Sequence, residues 1–318
     1  MSEATEPGEA GAAEAEGGGH PAARRADRPS GLAVWVVGAR PRTLGAAVCP
    51  VLVGTAAAAA GGPVTWWRFA LALVVALGLQ VAVNYANDYS DGIRGTDDPA
   101  RVGPTRLVAS GLASPGRVRL AAALAFAVAA AAGLALAVAV DLRLLLVGAA
   151  AIAAAVLYTG GPRPYGYSGF GELSVLAFFG LVATCGSAFV QAGRVPGLAV
   201  AAAVPVGLLA VEILLANNIR DVAGDERAGK RTLAVRLGPA RSRLLYGLLM
   251  AAVFVSIIAI GAARPSAWIT LIAAPVAVEP TRLVLERSDG PSLVRALVTT
   301  ARLQLAVSIL LAVGLWFS

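Results

Sequence analysis

The chain has very few of the side chains that carry out most acid–base and redox chemistry. Its 318 residues include one histidine, His20, and two cysteines, Cys49 and Cys185. The cysteines lie within apolar runs and have no CxxC spacing, so neither a zinc site nor a disulfide framework is indicated. His20 lies close to the N-terminus, and catalysis or metal binding by histidine is therefore not expected.

Charged residues are also scarce. They make up 14% of the chain, whereas 58% is apolar, and a soluble domain has about 25% charged residues. A chain of this composition lacks the polar surface to cover itself in water. Repeated apolar runs of about 20 residues indicate transmembrane helices, so the composition predicts a polytopic membrane protein.

The apolar runs predict an all-α fold with about nine transmembrane helices around a central cavity. Residues 1–30 are rich in Gly, Ala, Glu and Pro, which predicts a disordered N-terminal tail and not a signal peptide. Residues 31–318 then form the transmembrane domain. The predicted spans are 42–62, 65–86, 118–139, 142–159, 171–192, 197–217, 243–263, 266–285 and 296–316.

The distribution of basic residues predicts the topology. The net charge of +7 reflects loop charge and contact with anionic lipid or substrate, and nucleic acid is not an expected partner. With nine spans, only Arg68, Arg143, Arg194 and Arg264 fall on the side opposite the N-terminus. The positive-inside rule then places the N-terminus and the even-numbered loops in the cytoplasm, with the protein in the cell membrane.

Two polar clusters end the second and sixth apolar runs. Their carboxamides and carboxylates are three or four residues apart, a spacing that places side chains on one helical face. The members are Asn84, Asn87, Asp88 and Asp91 in the first cluster and Asn217, Asp221 and Asp225 in the second. Ionisable groups at membrane depth are costly and usually functional. We expect the four aspartates to be catalytic and to bind Mg²⁺, which is shared readily between carboxylates and phosphate oxygens.

Basic residues near both clusters complete the predicted site. They are Arg106, Arg220, Lys230 and Arg231. Cations of this kind would neutralise a diphosphate, and Mg²⁺ would stabilise it as a leaving group. The two clusters and their cations together predict a site for a metal-bound diphosphate on the cytoplasmic side, with Asn84, Asn87 and Asn217 also in contact with the substrate.

The clusters resemble the paired aspartate-rich motifs of the UbiA superfamily of intramembrane prenyltransferases. The surrounding sequence is similar to the branch that acts on 1,4-dihydroxy-2-naphthoate in menaquinone biosynthesis. The similar segments are 40–44, 94–97, 103–111, 157–162, 171–173, 217–221 and 228–238. The resemblance covers about residues 35–316, and it leaves open which of Asp97 and Asp98 belongs to the first motif.

This resemblance implies a fold and a reaction. The fold has nine helices around a cavity that opens laterally to lipid, and Mg²⁺ on the two motifs holds a polyprenyl diphosphate. The prenyl chain is transferred to the naphthoate ring, carbon dioxide is lost, and demethylmenaquinone forms. Tyr158 and Arg163 are then candidates for orienting the aromatic acid, and no residue stands out as a base.

Three other functions are considered beside this one. The first is prenyl transfer to a different acceptor by a member of the same superfamily, and the segments 103–111 and 228–238 argue against it. A CDP-alcohol phosphotransferase is the second, because Asp88-x-x-Asp91-Gly92 resembles the start of its motif, although the downstream aspartates are missing. A cation transporter with midplane carboxylates is the third, and the accompanying arginines disfavour it.

Overall fold

A computed structural model describes residues 29–95 and 105–317 of the protein. The described residues form helices and connecting turns, and no strand occurs among them. Helices α1 to α10 span Leu32–Ala39, Gly45–Ala59, Trp66–Arg94, Pro115–Ala139, Leu144–Thr159, Gly171–Ala192, Gly197–Arg227, Leu233–Ala263, Pro265–Glu286 and Gly290–Trp316. Residues 1–28 of the predicted tail lie outside the described residues, as do Asp97 and Asp98.

The all-helical transmembrane architecture predicted from the sequence is confirmed. Within the described ranges, seven helices are long and apolar enough to cross a membrane, namely α3, α4 and α6 to α10. Helices α1 and α2, bent by 52° at their junction, form an eighth candidate span. The shorter apolar helix Leu144–Thr159 (α5) matches the remaining predicted span, so about nine segments cross the membrane.

Helix α7 lies at the centre of the bundle. Of its most apolar stretch, 61% is buried within the protein, compared with 22–44% for the other six long helices. It packs against α2, α6, α8 and α10. At its contact with α6, a Cβ built at Gly180 would lie 2.8 Å from the Cα of Gly207. Small residues allow helix backbones to approach this closely. Such close van der Waals packing drives helix association in a bilayer, where there is no hydrophobic driving force between helices.

Helix α6 changes its winding where it lines the bundle interior. Residues Leu176–Val182 form a π-helical segment between two α-helical ones, Gly171–Val175 and Ala183–Ala192. π-Helical turns are rare and frequently occur at functional sites. Phe178 and Phe179, which are adjacent in this segment, both line the interior cavity described below.

Both polar clusters lie on helices that continue beyond the predicted ends of their spans. Helix α3 runs through Asp91 to Arg94 and ends at Gly95, whose φ of 63° stops the helix in the left-handed region. Helix α7 continues to Arg227 and therefore includes the whole second cluster. The predicted helical spacing of the two clusters is thus present in the structure.

Candidate active site

A cavity of about 350 Å³ lies among helices α2 to α7 and reaches the first polar cluster at Asn84 and Asn87. Most of its lining is aliphatic or aromatic, with Val51, Leu136 and Phe178 as typical members. Polar side chains line it near the C-terminal end of α3, where Asn87 and Tyr158 of α5 both belong to the lining. The cavity is therefore apolar along most of its length and polar at one end.

Asp91 lies one helical turn beyond Asn87 on α3, next to the polar end of the cavity. Its side chain is 4% exposed and forms ion pairs with Arg106 at 3.4 Å and with Lys230 at 3.2 Å. The Tyr167 hydroxyl also donates a hydrogen bond to Asp91 Oδ1. Because Lys230 directly follows α7, this contact joins the ends of the two cluster-bearing helices. The C-terminal ends of α3 and α7 therefore lie next to each other.

Asp88 has a different environment. It is fully buried, and its two oxygens accept hydrogen bonds from the backbone N–H groups of Leu107 at 2.8 Å and Val108 at 3.0 Å. Gly92 permits this contact, because a Cβ there would lie 2.4 Å from Val108 Cγ1. Asp88 thus fastens the segment that carries Arg106, and its role as a metal ligand beside Asp91 stays a prediction.

The asparagines of the first cluster connect α3 to its neighbours. Asn84 is buried and donates through Nδ2 to Ala39 O at 2.8 Å and to Thr43 Oγ1 at 3.2 Å, which fixes the entry segment before α2. Asn87 Oδ1 accepts a hydrogen bond of 2.8 Å from Thr159 Oγ1 at the end of α5. Both side chains line the polar end of the cavity.

The second cluster is organised around Arg220. This guanidinium donates to both oxygens of Asp221 at 2.7 Å and to Asn217 Oδ1 at 2.8 Å. A two-point contact of this kind is the strongest geometry for an arginine–carboxylate pair. Asp225 lies one turn beyond Asp221, and its carbonyl accepts the Lys230 N–H at 2.8 Å. The second cluster thus sets the position of Lys230.

The remaining predicted site residues differ in their position relative to the cavity. Tyr158 lines the cavity and meets Tyr165 edge-to-face with ring centroids 5.5 Å apart. Arg163 and Arg231 are both exposed, and among the described residues neither side chain forms a hydrogen bond or an ion pair. Arg231 nevertheless lies beside Tyr167, whose carbonyl accepts its backbone N–H at 2.7 Å, and substrate contacts by these two arginines stay predictions.

Tyr167 and Arg94 are prominent in the structure but absent from the predicted site. The Tyr167 ring lies 4.6 Å from Lys230 Nζ and 5.5 Å from the Arg94 guanidinium carbon. Arg94 donates to the carbonyls of Thr159 and Gly161 and so closes the loop after α5 against α3. Only the Gly-rich loop between α5 and α6 hinted at this in the sequence, because no spacing rule links residues so far apart.

The donor atoms of the two clusters fit a metal ion held jointly with a substrate. Among the described residues, no group of three or more acidic, histidine or cysteine side chains could hold an ion alone. Magnesium usually takes one or two carboxylates and completes its shell with water and phosphate oxygens. Asp91 with Asn87, and Asp221 with Asp225, supply oxygens in such small sets, beside cations suited to phosphate.

Comparison with known proteins gives strong matches over the same part of the chain. The profile of the UbiA prenyltransferase family matches residues 47–296. A 1,4-dihydroxy-2-naphthoate octaprenyltransferase of Mycobacterium tuberculosis is 49% identical over 286 residues, covering 90% of this chain and 98% of the relative. The enzyme of the same name from Escherichia coli is 35% identical, covering 89% of this chain and 95% of its own.

A solved structure has the same fold. A UbiA homolog from Archaeoglobus fulgidus bound to GPP and Mg²⁺ superimposes with a TM-score of 0.60 at 15% identity, covering 88% of this chain and all of the homolog. At this identity the likeness establishes the fold alone.

Proposed function

This chain belongs to the UbiA prenyltransferase family, and we propose that it transfers a polyprenyl chain from polyprenyl diphosphate to 1,4-dihydroxy-2-naphthoate. The products are demethylmenaquinone, carbon dioxide and diphosphate. Two relatives that this chain matches over nearly their whole length carry the name of this activity. Family membership leaves no ground for the phosphotransferase or the cation transporter considered from the sequence.

One observation supports the proposal most directly. The 350 Å³ apolar cavity is lined at its polar end by Asn87, and one helical turn further along α3 Asp91 meets Lys230, which follows the second cluster, at 3.2 Å. A prenyl diphosphate has the same division, with a chain as apolar as lipid and a highly charged head. The chain would lie along the cavity beside Val51 and Phe178, and the head would reach the polar end.

The diphosphate would be held by the cations of the polar end. Arg106 and Lys230, whose side chains are 13% and 11% exposed, already converge on Asp91. Arg220, fixed by Asp221, is the corresponding cation of the second cluster. Charge-assisted contacts to phosphate are strong and directional where water is largely excluded.

A divalent metal ion belongs to this proposal, and we identify it as Mg²⁺. Asn87, Asp91, Asp221 and Asp225 would hold it together with the substrate. When bound, it would stabilise the negative charge that develops on the departing diphosphate. The Archaeoglobus homolog is bound to Mg²⁺ together with GPP, which supports a divalent metal in the family.

The protein's own residues would guide the remaining chemistry. As the diphosphate leaves the allylic carbon, Arg106 and Lys230 neutralise its growing charge. The aliphatic cavity wall excludes water, so the allylic cation meets the electron-rich ring before it meets a water molecule. Tyr158, which lines the polar end, is placed to contact that ring.

We also propose that the site faces the cytoplasm. The protein is a multi-pass membrane protein, and Arg106, Arg220 and Lys230 lie at the same end of the bundle as the first cluster. The positive-inside rule assigns the end richer in Lys and Arg to the cytoplasm. The proposed membrane is the cell membrane, where a quinone precursor is retained by its chain.

The decisive experiment is a reaction with purified protein, dihydroxynaphthoate, Mg²⁺ and prenyl diphosphates of increasing length, with products identified by mass. We expect a product mass equal to the prenylated ring less carbon dioxide. Parallel reactions with 4-hydroxybenzoate test the alternative acceptor. Turnover of hydroxybenzoate and none of the naphthoate would overturn the proposed acceptor while retaining prenyl transfer.

A further inference from the structure

A buried carboxyl group that the proposed diphosphate chemistry does not use lies beside the polar end. Glu172, in the first turn of α6, is 6% exposed. Its Oε1 accepts a hydrogen bond of 2.9 Å from Asn218 Nδ2 of α7. Its Oε2 is buried and, among the described residues, has no hydrogen-bond partner. Buried polar atoms are nearly always partnered, so an unpartnered carboxyl oxygen suggests an absent ligand or water.

The helical register places this pair next to the cavity. Val175, three residues after Glu172, lines the cavity. Leu214, four residues before Asn218, lines it as well. Residues three or four apart share a helical face, so Glu172 and Asn218 extend the two lined faces by one turn. Because α6 begins and α7 ends at the polar end, that turn points toward the aspartates.

Two further contacts show what lies beside this pair. A Cβ built at Gly171, the neighbour of Glu172, would lie 3.0 Å from Tyr158 Oη, so the Tyr158 hydroxyl is adjacent to the pair. Asn218 directly follows Asn217, which Arg220 holds. The pair therefore lies between the cavity-lining tyrosine and the second cluster, where an acceptor must approach a diphosphate-bearing carbon.

We propose that Glu172, held in place by Asn218, binds the aromatic acceptor by accepting a hydrogen bond from a ring hydroxyl at Oε2. This inference rests on the proposed function, because it takes the acceptor to be a hydroxylated aromatic acid. The bond would turn the ring face toward the allylic carbon and increase the electron density of the attacking ring. A hydroxyl donor satisfies Oε2, whereas the acceptor's own carboxylate would repel it.

The test compares Glu172→Gln with the wild-type enzyme in steady-state kinetics. A glutamine keeps the size of the side chain but is a weaker acceptor at this position. We expect the KM for dihydroxynaphthoate to rise about 10- to 100-fold, the range for a lost hydrogen bond to a charged group. The KM for prenyl diphosphate and the half-saturating Mg²⁺ concentration should change less than about twofold, within the effect expected of unrelated sites.

Glu212→Gln is a matched control. Glu212 is a second buried glutamate, it lies on α7, and neither of its oxygens has a hydrogen-bond partner among the described residues. A general penalty for altering a buried carboxyl group would appear in both variants. The proposal requires a rise in the naphthoate KM that is specific to Glu172→Gln.

Acceptor analogues separate ring contact from a structural effect. Two monohydroxynaphthoates are compared, each lacking one of the two ring hydroxyls. The analogue that lacks the hydroxyl bound by Glu172 should have the same KM with the wild type and with Glu172→Gln, because the contacted group is gone. If Glu172→Gln does not fold, the same KM measurements are made with Asn218→Ser, which removes the hydrogen bond that holds Glu172. Normal wild-type turnover with an unchanged naphthoate KM in the variant overturns this inference alone. Wild-type enzyme that ignores dihydroxynaphthoate overturns the proposed function instead.

Discussion

Replacing Asp88 by asparagine distinguishes a metal ligand from an anchor of the Arg106 segment. The carboxylate accepts two backbone N–H groups, at 2.8 Å from Leu107 and 3.0 Å from Val108, in a fully buried setting. Asparagine can accept one of them, but its NH₂ group faces the other donor. The loss is about 1.5–3 kcal/mol, the contribution of one hydrogen bond to a charged group.

That loss should appear as weaker binding of the prenyl diphosphate. If the segment leaves its docked position for part of the time, the apparent affinity falls in proportion to the docked fraction. The KM for prenyl diphosphate should therefore rise by up to about 10- to 100-fold. The half-saturating Mg²⁺ concentration should stay close to that of the wild type, whereas Asp91→Asn should raise it strongly.

Hydrogen exchange measured by mass spectrometry reports the anchor directly. Peptides that cover the segment after Thr105 should exchange faster in Asp88→Asn than in the wild type, because two protected amides lose their acceptor. Gly92→Ala is a companion variant that disturbs the same contact without changing any charge. Its Cβ would lie 2.4 Å from Val108 Cγ1 and would push the segment away from α3. It should reproduce both the faster exchange and the higher KM. Unchanged protection together with a Mg²⁺ requirement as altered as in Asp91→Asn would refute the anchoring role and restore the metal-ligand prediction.

Three other predictions follow from the site and the bundle. Tyr167→Phe keeps the ring between its two cations but removes the hydrogen bond to Asp91, so kcat/KM should fall about 10-fold or more; turnover equal to wild type would contradict a role for this hydroxyl. Gly207→Ala places a Cβ 2.8 Å from the Cα of Gly180 and should destabilise the bundle by about 1–3 kcal/mol, measured as a lower melting temperature in detergent. Gly116→Ala, where a Cβ meets nothing within 4 Å, should leave that temperature unchanged, and equal shifts would argue against the close contact. Removal of divalent metal with EDTA should abolish turnover and added Mg²⁺ should restore it, whereas full activity in excess chelator would exclude the proposed metal.

The spans were predictable because the bilayer limits their length. Each apolar run had to be about 20 residues long, and the structure ends α6 at Ala192 and α10 at Trp316, as the runs indicate. The start of α8 was less accurate, since the predicted span began at residue 243 and the helix begins at Leu233. Gly238, with φ of 75°, and Pro239 break the helix there, and the sequence alone does not distinguish such a kink from a loop.

The site was predictable in its residue types but not in its partners. Spacing correctly indicated that Asp88 and Asp91 lie on helix α3, three residues apart. It could not indicate that one faces the Leu107 backbone and the other faces Lys230, because a helical period describes one helix and not its neighbours. Glu172 shows the same limit, since its partner Asn218 is 46 residues away along the chain.

The charges of the polar end explain why these partners must come from separate segments. An isolated carboxylate at membrane depth is costly, and a cation held in good geometry offsets part of that cost. For Asp91 the cations are Arg106, which precedes α4, and Lys230, which follows α7. Neither lies on the same helix as Asp91, so the pairing exists only after α3, α7 and the segment before α4 have packed together. A change that loosens this packing, such as Asp88→Asn, should therefore lower activity although every charged group proposed to contact the diphosphate is still present.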